Sequence, residues 1–542
     1  MIGSERLLLS GNEAVALAMK SAGITLGTGY PGTPSTEILE NFSARGGRAQ
    51  WAPNEKVAFE VALGAAYGGA RSVVTMKHVG VNVAADPLFT AAYTGVPAAL
   101  ILISADDPGM ASSQNEQDNR HYAVAAGLPM IEPSDSQEAH DFFLHAVAVS
   151  ERWHIPVLFR MTTRVCHSKT IVNTGLRQEL AAPAPPAYVR SIRERVMIPA
   201  YARPAHRKLR QKLAEIAESN ETSPLNTRTS GVRTLGIISS GIAAMHAREV
   251  APDASFLKLG TTCPLPMRII RDFAGSVDRC VVVEEGDPYL ADSIRAAGVP
   301  VHAKPDMYRF GELNVGRVKR ILANDTSPEE PVPSGKPPQL CKGCPHRVVF
   351  EAFRDLGCIV AGDIGCYTLG VLPPFEAMDT CVSMGASITV GLGLRHVLPR
   401  EQAVKVVSVI GDSTFAHSGL SGLVEMVYNP PATGHVVVIV DNGTTAMTGQ
   451  QEHPGTGRTL DHEPTGKLVF EDIARAMGIK EVHVIDPLKE EGEFARLLAE
   501  TLAKEQPAVL ITRRACLLAA GRIRAYEQRA LQEKEACDAD GK

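Results

Sequence analysis

No apolar run in this chain is long enough to cross a bilayer, and its first residues lack the order of a secretory signal. Both absences point to the cytoplasm. Neither sign of charge is in large excess: 55 basic against 60 acidic side chains leave a net charge of −5. Nothing therefore suggests nucleic acid or an anionic membrane surface as a partner. Ten cysteines in 542 residues are too few for a disulfide scaffold. Clustered cysteines in a cytosolic protein more often bind metal or exchange electrons. No internal repeat is visible by eye, although two regions of similar strand-helix rhythm flank a smaller one. What is present is the composition of a soluble globular enzyme, 44% apolar and 21% charged. The length suits three or four domains at about 150 residues each.

The stretch that organises the rest lies near the C-terminus. An apolar run, Val404 to Ile410, empties into Gly411-Asp412-Ser413, and a second, Val436 to Val440, ends at Asp441-Asn442. Acid and amide thus stand at the carboxyl ends of two buried strands, where open α/β sheets bind ligands. A carboxylate, an amide oxygen and a nearby carbonyl form an all-oxygen set suited to Mg²⁺, which leaves further positions to water and phosphates. Asn442 follows Asp412 by thirty residues. This spacing resembles the thiamine-diphosphate motif, with Ser413 in place of its second glycine. A strand-helix-strand unit with polar strand ends fits the same residues.

Earlier in the chain, Asn12 to Gly23 has the pattern of an amphipathic helix. The turn Gly29-Tyr30-Pro31-Gly32-Thr33-Pro34-Ser35 is stiffened by two prolines, which would fix the Thr33 hydroxyl at little entropic cost. Capping of the next helix by Ser35 or Thr36 is the simpler use of these hydroxyls. Glu55 opens a helix of small residues, VAFEVALGAAYGGARS, followed by a strand, VVTMK. In apolar company its carboxyl would be raised in pKa and suited to proton exchange with a heterocyclic nitrogen. A solvated first-turn glutamate is the alternative. Strand and helix alternate to about residue 172, as in a parallel α/β domain. Residues 173–232, with an Ala/Pro run and a basic stretch, read as a linker with one exposed helix. Strands resume over 233–325, and a Pro-rich connector follows. The last region opens at Cys341-Lys342-Gly343-Cys344-Pro345-His346-Arg347 and continues through Gly362-Asp363-Ile364-Gly365-Cys366-Tyr367.

Taken in order, YPGTPS, NEKVAFEVALGAAYGGA, SSQNEQD, CKGCPHR, GDIGCYTLG, MGAS, GDSTFAHSG and DNGTTAMTG span nearly the whole chain. Together they resemble the large (alpha) subunit of indolepyruvate ferredoxin oxidoreductase, of the thiamine-diphosphate 2-oxoacid:ferredoxin oxidoreductases. The resemblance implies an α/β fold in which two thiamine-diphosphate-binding parallel-sheet domains flank a smaller transketolase C-terminal-like domain. The pyrimidine-binding domain would occupy 1–172, the linker 173–232, the smaller domain 233–325, the diphosphate-binding domain 336–520 and a charged helical tail 521–542.

Carried onto these residues, it implies that Asp412, Asn442 and the Thr444 carbonyl ligate Mg²⁺. Glu55 would bind the aminopyrimidine ring of thiamine diphosphate, and Thr33 would lie near the substrate carboxyl. Gly411, Ser413, His346, Gly365, Tyr367 and Gly385 would line the cofactor pocket. Cys341, Cys344, Cys366 and Cys516 correspond to the ligands of a [4Fe–4S] cluster, although by softness alone four thiolates suit zinc equally. Cys166, Cys263, Cys280, Cys358, Cys381 and Cys537 are read as structural or incidental. The implied reaction is oxidative decarboxylation of a 2-oxoacid, an arylpyruvate such as indolepyruvate, with CoA, giving acyl-CoA and CO₂. A non-redox decarboxylase or carboligase is the alternative. The family's ferredoxin-like domain has no counterpart after Cys516, where only Cys537 follows. Electrons would then leave through ferredoxin or another electron-transfer protein, and a smaller beta subunit would complete the complex.

Overall fold

A computed structural model describes residues 6–174, 180–330, 338–489 and 492–540, and in the terminal helix it leaves out most side chains beyond residue 529. Part of the linker, the boundary at 336 and the Cys537 side chain therefore lie outside the described residues. The chain divides into two compact units at Glu330 and Pro331. Each unit is held by a parallel sheet whose strands are apolar on both faces, as strands covered by helices on either side must be.

In the N-terminal unit the parallel strands are, in chain order, Leu26–Gly29, Ala49–Trp51, Ser72–Lys77, Leu100–Asp106, Met130–Ile131 and Val157–Thr162. Their spatial order is second, first, third, fourth, sixth, fifth. The winding therefore reverses between the first and third strands, which opens a crevice at their carboxyl ends. The first helix, Gly11–Ser21, starts at a capping box in which Ser10 and Glu13 each bond the other's backbone N–H.

The region expected to form a separate smaller domain has its own sheet, ordered Cys280–Val283, Val232–Ser239, Ala254–Lys258, Thr227–Thr229. The next strand, Thr261–Cys263, crosses to the edge of the first sheet and pairs antiparallel with Met130–Ile131. One apolar core then includes both Leu102 and Leu257, so the two sheets form one unit. The linker helix Pro199–Asn220 exposes most of its length and buries Leu209, Ile216 and Asn220.

Between the two sheets lies a buried ionic network. Arg120 is 1% exposed and bonds both oxygens of Asp118 through Nε, at 2.9 and 3.0 Å, and Glu284 Oε2 at 2.7 Å. It also donates to the carbonyls of Glu285 and Asp287. Arg160 holds Asp106 at 2.7 Å and Glu132 at 3.3 Å. Arg120, Asp118 and Glu284 each have several partners, the condition under which buried ions are tolerated.

The C-terminal unit repeats the winding. Its parallel strands are Ile359–Gly362, Thr380–Cys381, Val406–Gly411, Val436–Asp441, Glu481–Ile485 and Ala508–Arg513, again ordered second, first, third, fourth, sixth, fifth. The repeat that the sequence conceals is thus plain in the topology. Along Val436–Asp441, residues 436, 438 and 440 enter one core and 437 and 439 the other, one on each face of the sheet. The helix Ala520–Asp540 ends the described chain. Among the described residues, no helix is long and apolar enough to cross a membrane, and the cysteines are free thiols.

Replacing Arg120 by Met would strand Asp118 and Glu284 without a counter-charge. The expected loss is about 3–5 kcal/mol, read as a lowered urea midpoint with an unchanged slope.

Candidate active site

In the C-terminal unit, strand order reverses between Ile359–Gly362 and Val406–Gly411. Both strands run directly into a Gly-Asp pair, Gly362-Asp363 and Gly411-Asp412. Asp412 is 3% exposed. Its Oδ1 accepts the Ser413 N–H at 2.9 Å, and its Oδ2 accepts those of Gly443 at 2.7 Å and Asn442 at 3.2 Å. The His453 Nε2 stands 3.2 Å from Oδ2, off the line of a hydrogen bond. Burial alone would raise the Asp412 carboxyl, but the His453 ring and the backbone donors outweigh it and hold the group below its ordinary value. Asn442 Oδ1 accepts the Thr444 N–H at 3.1 Å, and the Thr444 hydroxyl donates to the Gln451 carbonyl at 3.2 Å. The Ser413 hydroxyl accepts from Thr445 at 2.9 Å. Asp441 is raised by burial and by Asp412 and leans on Arg513 at 2.7 Å. A buried carboxylate, an amide oxygen and negative surroundings form a donor set that fits a small hard cation.

Tyr367 forms the floor. Its ring lies so close to two glycines that a Cβ on Gly365 would stand 2.4 Å from it, and one on Gly411 2.7 Å. No side chain fits at either position. Burial holds its phenol well above the ordinary range, with Asp363 adding to the effect. His346 meets the Tyr367 ring edge-on, with centroids 6.2 Å apart, and its Nε2 is 3.4 Å from Asn442 Nδ2. Burial pushes the His346 imidazole down to about 4, so it is neutral at physiological pH. Gly385 begins the helix Ala386–Val397 at φ +86°, and a Cβ there would stand 2.4 Å from Ser418 Cβ. The Asp363 carboxylate accepts the N–H groups of Gly385 and Ser387 at 2.9 and 3.0 Å and so fixes that helix start. The helix after Asp412 widens into a π turn over Phe415–Gly419, a distortion frequent at functional sites.

Cys341, Cys344, Cys366 and Cys516 line a single cavity of about 130 Å³ together with His346 and Asn442. The first two come from the turn before helix His346–Asp355, the third from the loop after Ile359–Gly362, the fourth from the loop after Ala508–Arg513. Burial raises the Cys344 and Cys366 thiols, Cys366 to about 11, and the neighbouring cysteines add to the rise. Four thiols on one cavity wall, Cys341 exposed and the other three half-buried, fit a cluster that would bind them as thiolates. Cys166, Cys263 and Cys280 are buried elsewhere, in the N-terminal unit.

In the N-terminal unit, Glu55 opens helix Glu55–Tyr67 behind an Asn54 cap and is 4% exposed. It is not a solvated first-turn glutamate. Its carboxyl rests on the backbone of Gly80, where a Cβ would stand 2.7 Å from Oε1. The hydroxyls of Ser35 and Thr36 close the proline turn on Gly32, donating to its carbonyl at 2.9 Å and accepting its N–H at 3.0 Å. Neither serves as a conventional side-chain cap. Thr33 sits on the same turn, half-buried, before a cis proline.

Two residues of this constellation escape sequence reading. His453 lies in an irregular segment with no period to mark it. Asp363 has a signal, since it follows its strand as Asp412 follows its own.

Paired sheets of one winding, with an acid, an amide and four thiols at the strand ends of the second, suit the class to which the chain's relatives assign it, the thiamine-diphosphate-dependent 2-oxoacid:ferredoxin oxidoreductases. Residues 363–512 match the thiamine pyrophosphate enzyme C-terminal TPP-binding domain, and residues 17–222 the thiamine diphosphate-binding region of pyruvate flavodoxin/ferredoxin oxidoreductase. The chain is 39% identical to the indolepyruvate oxidoreductase subunit IorA of Methanothermobacter marburgensis, across 98% of this chain and 90% of that one. It is 39% identical to the Archaeoglobus fulgidus subunit (96% and 88%) and 36% to that of Pyrococcus abyssi (95% and 86%). A solved 2-oxoglutarate:ferredoxin oxidoreductase from Magnetococcus marinus has 17% identity and a TM-score of 0.48, covering 59% of this chain and 65% of its own. The chain belongs to the IorA subunit family of indolepyruvate oxidoreductases.

Gly365→Ala is expected to force Tyr367 aside at a cost of about 1–3 kcal/mol. A lowered melting temperature, together with weaker retention of thiamine diphosphate on gel filtration, checks it.

Proposed function

We propose that this chain catalyses oxidative decarboxylation of an arylpyruvate such as indolepyruvate, with CoA as acyl acceptor and acyl-CoA and CO₂ as products. Cys341, Cys344, Cys366 and Cys516 would hold a [4Fe–4S] cluster, which would supply one-electron transfer towards ferredoxin or another electron-transfer protein, and a smaller beta subunit completes the enzyme. The observation that carries the reading is the meeting of four thiols with His346 and Asn442 in one cavity. Thiols suited to a one-electron acceptor thus share a cavity lining with residues suited to the cofactor's diphosphate end, which supports this reading. The substrate assignment rests on the indolepyruvate oxidoreductase subunits that this chain resembles throughout.

When bound, thiamine diphosphate supplies the nucleophilic carbon and the electron sink that decarboxylation needs. The protein's part is to hold charge and exclude water. Asp412, Asn442 and the Thr444 carbonyl would bind Mg²⁺, and the His453 ring together with the backbone donors holds the Asp412 carboxyl below its ordinary value. Gly365, Gly411 and Gly385 leave room against Tyr367 and Ser418 for close approach, and Ser413 offers its hydroxyl to the diphosphate. Glu55, buried and braced on Gly80, would hydrogen-bond the aminopyrimidine ring. His346, neutral and buried, separates the thiols from the magnesium side without adding charge.

Anaerobic purification with the co-purifying subunit should yield about four iron and four sulfide per cluster site, with an EPR signal on reduction. Viologen reduction should follow addition of an arylpyruvate and CoA. Cys516→Ser is expected to lose both the signal and viologen reduction. Release of CO₂ from an iron-free protein would favour the non-redox decarboxylase instead. Glu55→Ala should lower kcat by roughly 10²–10⁴-fold, and a loss of only a few-fold would remove Glu55 from its role.

A further inference from the structure

The crevice of the N-terminal unit lies where Leu26–Gly29 and Ser72–Lys77 part company. From one strand the chain leaves into the turn that carries Thr33. The other strand ends in Lys77, whose stem lies on that turn: a Cβ on Gly32 would stand 3.1 Å from both its Cγ and Cδ. The Lys77 Nζ donates to the Ser112 carbonyl at 2.7 Å, on the loop after Leu100–Asp106. That is its one hydrogen bond, and it makes no ion pair among the described residues. The nearby Asp107 is occupied: its carboxylate accepts from Ser112 N, Ser113 Oγ and Thr163 Oγ1. Burial draws the Lys77 amine down to about 8, against the opposing pull of Asp107 and Glu55, so it is still protonated at neutral pH.

An ammonium has three donors. Half-buried, with one of them given to a neutral carbonyl, it carries a desolvation cost that an anion would offset. We propose that Lys77 is the substrate-carboxylate receptor, binding the 2-oxoacid's carboxylate beside Thr33. The inference rests on the 2-oxoacid reading above and adds a residue to it. The carboxylate keeps its charge in the bound substrate and while the adjacent carbonyl is attacked, so a contact to that charge is made alike in both states. Its loss should then fall on KM rather than on kcat.

The test uses the anaerobic complex with its cofactors and partner subunit, assayed by viologen reduction. Lys77→Met should raise KM for the arylpyruvate roughly 10- to 100-fold, the range of a charge-assisted hydrogen bond, with kcat and thiamine diphosphate affinity held. The inhibition constant of a non-reacting 3-arylpropionate should rise by the same factor, while that of its amide stays fixed. Lys77→Arg, which keeps the charge, should recover part of the loss. A lysine that merely ties the Ser112 loop to the proline turn would weaken acid and amide alike. That result, or an unchanged KM in Lys77→Met, overturns the proposal while leaving the oxidoreductase reading intact. A wild-type complex that reduces viologen with no 2-oxoacid would instead remove the reading itself, and this proposal with it.

Discussion

A parallel sheet wound from one end to the other leaves no gap at its strand ends, because each crossover helix covers the last. Reversal of the winding is what opens one. In both units of this chain the reversal falls between the first and third strands, and the residues that carry chemistry are those leaving these two strands and their neighbours. Thr33 and Lys77 depart from one such pair, Asp363 and Asp412 from the other. Position in the winding decides which side chains face the crevice. Chemistry then depends on what those side chains are.

The cost of placing charge at such points is met locally. Asp412 is out of water yet ionised because the His453 ring and peptide N–H groups converge on its oxygens. Its neighbour Asp441 has Arg513 instead, and Arg513 also grips Glu471 at 2.7 Å. Away from the strand ends, the Arg120 and Arg160 network does structural work of the same kind, joining two sheets whose apolar faces alone would not fix their register. Buried charge in this molecule is therefore of two sorts. One sort is paired with arginines and holds the fold. The other retains spare capacity and faces a crevice.

Much of this could be read from the residues in order. Long apolar runs ending in Gly-Asp and Asp-Asn identify strand ends without coordinates, so Asp412 and Asn442 were visible. The CxxC pair was visible too, but Cys366 and Cys516 join it only through three separate loops, and resemblance rather than spacing singled them out. Glu55 was ambiguous: a first-turn glutamate faces solvent unless something closes over it, and the close approach of Gly80 is a fact of packing. His453 and Lys77 were opaque. One sits in a segment without period, and the other reads as the polar last residue of an apolar strand. The ionic network was equally hidden, since Arg120 and Glu284 are 164 positions apart.

The recurrence of one strand order in both units has a consequence for how such a protein can change. No repeat survives in the letters of the two halves, yet the path of the backbone is the same. Crossover geometry tolerates wholesale replacement of the side chains that line it, so long as strands stay apolar and turns stay short. The two units accordingly differ in loop chemistry, with a proline turn and a lysine in one and an acid-amide pair with thiols in the other. The route of the chain is what the two units share, and the residues at the tips of the strands are what set them apart.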